Sequence, residues 1–408
     1  MKKFFGDLVY LLNNQYPSKW GRGTGLLWRG NTSKLYLKAF FAALLNKNNN
    51  IARIPNRYLF ESCRVAIYHF AKYSGLKSGD TVQIMGFTCD AVTNALDALN
   101  CNIILYDCND KMECTKFQFS EDTKLIICQI SFGVPALSKE ILAKAHAMGI
   151  SILLDKSLSY GIEDFSDESL FQYPTVMSFE VSKSITIGWG GLLILPMESS
   201  FDKFIKYYGS LGKVSYLDDF SRVFKTIINL LMVNNGNKFN YWLWLLFRVL
   251  RLHRASVKSE TLKYKSKSAM GKLSKKIFYQ HYKQIPKFLE VSNKNHNILK
   301  ELLISFNLEV ISEVNQRYST PRIVFLVESD IKIKLIKWLK SNNFELGVWF
   351  DHMPLFDENN YNYNYIGTLS LMEKVVNLPC HGSISRVEID RLIASLKEFF
   401  IEEDNAIQ

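Results

Sequence analysis

The chain has 408 residues, 48% of them apolar and 22% charged, which excludes global disorder and collagen-like repeats. At this length a packed core needs neither disulfides nor a structural metal. Fifty lysines and arginines stand against 39 acids, yet twelve of those basic residues fall between Arg248 and Lys287 beside one acid, Glu260; the remainder balances at 38 against 38. This argues against a nucleic-acid-binding polycation and for one local basic patch.

The N-terminal MKKFFGDLVYLLNNQYP has the lysines of a signal peptide, but Asp7 breaks its apolar run and no small-residue cleavage site follows. It reads as an amphipathic helix of an N-terminal helical arm, residues 1–55. The glycine-rich WGRGTG in that arm lacks a following Lys-Ser/Thr and a preceding strand, so it is a loop and not a phosphate cradle.

Residues 56–205 form the large domain. Short apolar runs recur there: TVQIMGF, NIILYD, KLIICQIS, SILLDK, TVMSFE and GLLILP. Amphipathic stretches such as RVAIYHFAKYSG, DAVTNALDALN and SKEILAKAHAMG lie between several of them. Continuous apolar strands alternating with helices predict an α/β fold, a mostly parallel sheet with helices on both faces.

Residues 206–290 turn helical, apolar and then basic. The most apolar stretch, Tyr241 to Phe247, is stopped at Arg248, short of the roughly 20 residues a membrane-spanning helix needs. Residues 291–408 read as a smaller C-terminal α/β domain. Its last helix opens with Ser385 and Glu388 at the spacing of a capping box.

The seven cysteines are odd in number and form no C-x-x-C pair, and several sit in apolar runs. They are expected to be buried reduced thiols of a cytoplasmic protein, with no metal site.

Chemistry concentrates at three strand ends, where open α/β sheets bind ligands. Asp155 follows the fourth apolar run. Ser178 and Lys183 follow the fifth, in MSFEVSKSITIGWGG. Ser62-Cys63-Arg64 opens the helix VAIYHFAKYSG. A lysine can bond an aldehyde, an acid can pair with a pyridinium nitrogen, and a helix N-terminus can hold a phosphate dianion. Those are the handles of pyridoxal 5′-phosphate. Alone, a loop lysine is usually solvated, a strand-end aspartate is usually a turn acid, and Ser62 is an N-cap in either case. The combination is what points to a site.

Around these residues the chain resembles a divergent DegT-type nucleotide-sugar aminotransferase, in the fold-type I group of pyridoxal phosphate enzymes. SCRVAIYHFAKYSGLKSGDTVQIMGFTCDAVTNALDALNCNIILYD is similar to the family's Gly-Asp-x-Val strand with its flanking helices. SFEVSKSITIGWGG is similar to its Ser-Phe-x-x-x-Lys segment ending in Gly-Gly, and NLPCHGSISRVEIDRLIASLKEF to its Leu-Pro-x-His close and terminal helix.

The resemblance implies that Lys183 bonds the cofactor and carries the proton, that Asp155 pairs with the ring nitrogen, and that Ser178 holds the phosphate with the N–H groups around Ser62, Cys63 and Arg64. The ring-stacking aromatic is usual at the position of Cys89; Phe87, two residues earlier, is the substitute considered. Other departures are Cys63-Arg64 for Gly-Thr, Trp189 for the glutamate before Gly-Gly, Leu154 before the aspartate, and no recognisable Asn-Tyr-Arg segment.

The resemblance further implies a nucleotide-linked keto sugar substrate, an amino-acid donor such as glutamate, a role in surface polysaccharide or glycan precursor synthesis, and a homodimer. Two alternatives stay open. One is a pyridoxal phosphate reaction on a lipid-linked or acyl substrate, with peripheral membrane contact through 241–287, where Trp242, Trp244 and Phe247 precede Arg248, Arg251 and Arg254. The other is a non-catalytic descendant. His352 and His381 are expected to be structural or to line a substrate pocket.

Overall fold

The sheet forms where the sequence places its uninterrupted apolar runs. In chain order the strands are β1 (Arg57–Phe60), β2 (Thr81–Met85), β3 (Asn102–Tyr106), β4 (Thr123–Ser131), β5 (Val134–Pro135), β6 (Ser151–Asp155), β7 (Thr175–Ser178) and β8 (Gly191–Ile194). The structure, a computed structural model, describes residues 32–45, 56–161, 172–180, 183, 185, 187–196, 203–233, 269–282, 285–315, 318–342, 344, 346–347, 349–350, 353–355 and 365–407.

The spatial order is β1-β8-β7-β6-β4-β2-β3, with β5 paired to β4. From β3 to β7 the neighbours run parallel, and β8 and β1 add antiparallel. Every residue of β2 and β7 is buried, as strands covered on both faces require.

The two faces can be read from the pleat. On one side Val176 and Leu193 meet Val65, Ile67 and Phe70 of α2 (Cys63–Tyr73), where α1 is Thr32–Leu45, and Val92 and Leu96 of α3 (Asp90–Asp97). On the other, Met177 and Leu192 meet Tyr36 and Ala39 of α1. Adjacent residues thus point to opposite layers. Helix α4 (Lys139–Ala147) packs beside β6 and is capped by the Ser138 hydroxyl. Helix α5 is Phe204–Ser210; α6 (Tyr216–Val233) and α7 (Lys272–Tyr282) join the α1 side through Val223, Ile227, Ile277 and Phe278. The described part of the 1–55 arm is therefore built into the sheet's own core.

The smaller domain contains α8 (Ile285–Ser305), β9 (Arg322–Leu326), α9 (Ser329–Ser341), α10 (Ile366–Lys374), β10 (Val375–Pro379) and α11 (Arg386–Ile407). Strands β9 and β10 pair antiparallel, and Leu299, Leu303, Phe325, Leu339, Leu378 and Leu396 form their core. The capping box is formed: the Glu388 N–H donates to Ser385 Oγ at 3.3 Å, and the Ser385 N–H donates to Glu388 Oε2 at 2.9 Å. All seven cysteines are free thiols. Among the described residues no helix is long and apolar enough to cross a membrane.

Candidate active site

Because β8 runs antiparallel to β7, its first residue lies at the same sheet edge as the carboxyl ends of β6 and β7. Gly191 is paired with Ser178 on one side and with Phe60 of β1 on the other. Two residues after Phe60 comes Ser62, the N-cap of α2, whose hydroxyl accepts from the Val65 N–H at 3.3 Å. The chain thus sets the N-terminus of α2 directly over Gly191.

Gly191 makes that approach possible. A Cβ there would lie 2.4 Å from the Cys63 nitrogen and 2.5 Å from its Cα, both of them backbone atoms. Gly191→Ala is expected to push α2 off the sheet and destabilise the fold by about 3 kcal/mol, near the upper end of ordinary overpacking costs. Urea unfolding of the variant checks this, and a midpoint equal to wild type would refute the close approach.

Asp155 ends β6 with 8% of its surface exposed, and the Ser157 N–H donates to its Oδ1 at 2.9 Å. Burial pushes the carboxyl's pKa up, while the Ser157 hydrogen bonds and the Lys183 ammonium pull it down. Cys63 Sγ lies 3.3 Å from Ser157 Oγ. Burial also raises the Cys63 and Cys89 thiols, and the charges of Lys183 and Arg64 oppose the rise at both.

Lys183, Arg64, Asp155, Cys63 and Cys89 therefore share one electrostatic neighbourhood. Cys89 is exposed and Cys63 half-buried, yet both are desolvated. A group that reaches solvent while surrounded by protein lies in a concavity.

Lys183 sits in the connection between β7 and β8, in a turn closed by its own N–H donating to the Glu180 carbonyl at 3.0 Å. Gly190, at φ +121°, lets that connection re-enter β8. Ser178 is buried at the end of β7, its carbonyl accepts from the Tyr160 hydroxyl, and its own hydroxyl accepts from the Glu180 N–H at 3.5 Å. The Lys183 Nζ lies over the ring of Trp349 at 5.0 Å. That residue follows β9 and α9 in the chain and gave no sequence signal.

The structure thus brings Lys183, Asp155, Ser178, Ser62, Cys63, Arg64 and Cys89 to one end of the sheet. It does not bring Phe87. That ring is fully buried and packs edge-on to Phe350 at 5.1 Å, with no surface left for a ligand. The reason is the small domain: Met353 and Thr368 lie 3.1 and 3.2 Å from where a Gly86 Cβ would stand, so the end of β2 is covered. Trp189 is a core residue on the α1 side. His381 is buried, accepts the Ser383 N–H at 3.3 Å and stacks along Phe288. His352, the apolar stretch 241–247 and the arginines at 248, 251 and 254 lie outside the described residues.

The donor set fits pyridoxal phosphate. The N-terminus of an 11-residue helix sits over Gly191, a glycine paired with Ser178 at the end of β7. A buried carboxyl without a partnering cation in hydrogen-bond contact among the described residues accommodates a protonated ring nitrogen. An amine stands in the same neighbourhood.

Comparison with known proteins agrees with this arrangement. Residues 58–397 match the model of the DegT/DnrJ/EryC1/StrS aminotransferase family. No curated protein matches the chain by sequence. Among solved structures it is similar to the aminotransferase TlmJ from Streptoalloteichus hindustanus, with TM-score 0.63, 12% identity and 92% of each chain covered. It is also similar to Spr1654 from Streptococcus pneumoniae, named as a candidate sugar aminotransferase and solved in a PLP-form. There the TM-score is 0.61, identity 14%, and coverage 98% of this chain and 97% of that one. NtdA from Bacillus subtilis with bound cofactor PMP gives 0.61 and 17%, over 98% and 81%. At these identities the likeness is one of fold.

Proposed function

The chain belongs to the DegT/DnrJ/EryC1/StrS aminotransferase family and is a transaminase that works with pyridoxal 5′-phosphate; from that premise we propose that it aminates a keto sugar carried by a nucleotide, with glutamate as donor. It does so as a cytoplasmic homodimer, in the supply of surface glycan precursors. The observation that carries the proposal is the convergence of Lys183, Asp155 and the N-terminus of α2 at the carboxyl ends of β6 and β7. The sugar, the donor and the dimer rest on family membership.

When bound, pyridoxal phosphate supplies an aldehyde that bonds amines and a protonated ring that takes up the electron pair left when a neighbouring C–H bond breaks. The protein's groups do the rest. The α2 N–H groups, Arg64 and the Ser178 hydroxyl bind the phosphate dianion, where the helix's positive end favours negative charge. Asp155 would hold the proton on the ring nitrogen, because its buried carboxylate is costly unless a cation sits beside it. The Lys183 amine takes a proton from one carbon and returns it to another, general acid–base work at a fixed position. The same amine accepts the proton from the donor amino acid's carbon in one half-reaction and delivers one to the sugar carbon in the other.

The test is a titration of purified protein with pyridoxal phosphate, followed by borohydride reduction and peptide mapping. A yellow band and cofactor mass on the peptide holding Lys183 are expected; mass on another lysine, or none, sinks the site. Glutamate-dependent amination is then compared for keto sugars with and without a nucleotide. Equal turnover of the two would remove the nucleotide from the proposal while leaving the lysine in place.

A further inference from the structure

Two cations that meet at the site rest on one indole. Lys183 Nζ is 5.0 Å from the Trp349 ring centroid, and the Arg322 guanidinium carbon is 4.6 Å from the same centroid. Trp349 is half-buried, so part of the indole stays open. Its support comes from the small domain. Asn377 on β10 exchanges backbone hydrogen bonds with Gly347 at 2.8 and 3.0 Å, and its Nδ2 donates to the Trp349 carbonyl at 3.4 Å. Asn377 Oδ1 accepts from Arg322 Nη1 on β9 at 3.0 Å. A Cβ at Gly347 would fall 1.9 Å from Asn377 Oδ1, so the absence of a side chain there lets this group close.

Among the described residues of the sheet end, no other ring is placed over the Lys183 amine. Phe87 is shut in the core, and Cys89 presents a thiol from the N-cap of α3, exposed and within the electrostatic reach of Lys183.

We propose that Trp349 is the aromatic wall of the site, the surface against which a carbonyl compound bonded to Lys183 lies. This rests on the reading of Lys183 as the cofactor amine. Joining an amine to an aldehyde forms a carbon–nitrogen double bond and releases water. With such a bond about 1.3 Å long, the carbonyl carbon falls within about 6 Å of the indole centroid. Aromatic rings attract one another at centroid separations of about 4.5–7 Å, and a pyridine ring on that carbon reaches this range when it lies back along the indole and not away from it. Arg322 and Asn377 are positioning residues: they hold the indole's plane and do not themselves reach the amine.

The test titrates pyridoxal phosphate into wild type, W349F, W349L, the double variant C89F/W349L, and K183A, reading affinity and the visible circular dichroism of the bound chromophore. W349L is expected to lose the induced signal and to bind about 3- to 10-fold more weakly, the range that one aromatic pair supplies. W349F keeps most of both. C89F/W349L regains the signal, because position 89, at the N-cap of α3, lies within the electrostatic reach of the same amine; a purely structural role for Trp349 would not be rescued from there. W349L with wild-type affinity and dichroism, or a loss that C89F leaves unrepaired, overturns the inference.

Emission provides a check that does not depend on W349L folding. Cofactor binding should quench a component of the wild-type indole emission that is missing in W349F, and equal fractional quenching of the two would overturn the proposal. The parent reading fails separately, through a chromophore still fixed by borohydride in K183A.

Discussion

Lys183→Ala is expected to lower amino transfer by at least about 10²–10⁴-fold, the contribution of one positioned proton carrier, before the lost covalent attachment is counted. Stability should hardly change. The Lys183 side chain is half-exposed, and its described ring partner is Trp349, a contact of about 1 kcal/mol at such a site. The informative measurement is single-turnover amination beside a thermal melt. Activity collapses while the melting temperature stays within a few degrees, which separates a chemical role from a structural one. A variant that keeps a tenth of wild-type turnover would move the amine's work to another residue.

Acid should unfold the protein well above the pH at which ordinary carboxylates protonate. Three buried histidines are responsible. His69 Nδ1 and the Tyr207 hydroxyl share a hydrogen bond at 2.7 Å, His296 Nε2 and Ser312 Oγ share one at 2.8 Å, and His381 accepts the Ser383 N–H. The other ring nitrogen of each is buried with no hydrogen-bond partner among the described residues. Burial lowers their pKa values to about 4, about 4 and about 3, against 6.5 in an open chain.

The folded pKa values lie below the unfolded ones, so the unfolded chain binds more protons between pH 6.5 and about 4. Stability is full above that window and falls as pH drops through it. Each histidine contributes up to about 1.4 kcal/mol per pH unit there. Asp155 opposes them, since its raised carboxyl takes up a proton in the folded state first. The net loss, up to about 3 kcal/mol per pH unit, is large against a typical stability of about 5–15 kcal/mol. Guanidinium midpoints at pH 7, 6 and 5 measure it, with His296→Gln expected to flatten the slope. Midpoints that do not move between pH 7 and 5 would show that these imidazoles are solvated.

The chain's apolar runs made the sheet legible because buried parallel strands need no polar alternation, and each of the six read that way forms a strand. Three strands escaped, among them the two-residue β5. RYLF of β1 is short and sits at the sheet's antiparallel rim, and VVNLP of β10 follows α10 without a break that would announce a change of period. The lysine, the aspartate and the helix start could be read as one candidate site because their chemistry makes sense only together, and the topology places them at one end of the sheet.

Phe87 was misassigned because nearness in sequence says nothing about which neighbour covers a strand end, and here Phe350 and Met353 of the small domain do. Trp349 was invisible for the mirror reason. GVWF carries no local pattern, and the indole meets the amine only through the register of β9 with β10.

The site draws on two separate sheets. Gly191, under the start of α2, is paired on both sides within one sheet, to Phe60 of β1 and to Ser178 of β7. The indole facing the amine is tied to the other sheet through Asn377 and Arg322. A substitution beside Gly191 therefore acts through the large sheet, while one at Asn377 or Arg322 acts through the β9–β10 pair, so the two sides of the amine answer to different mutations.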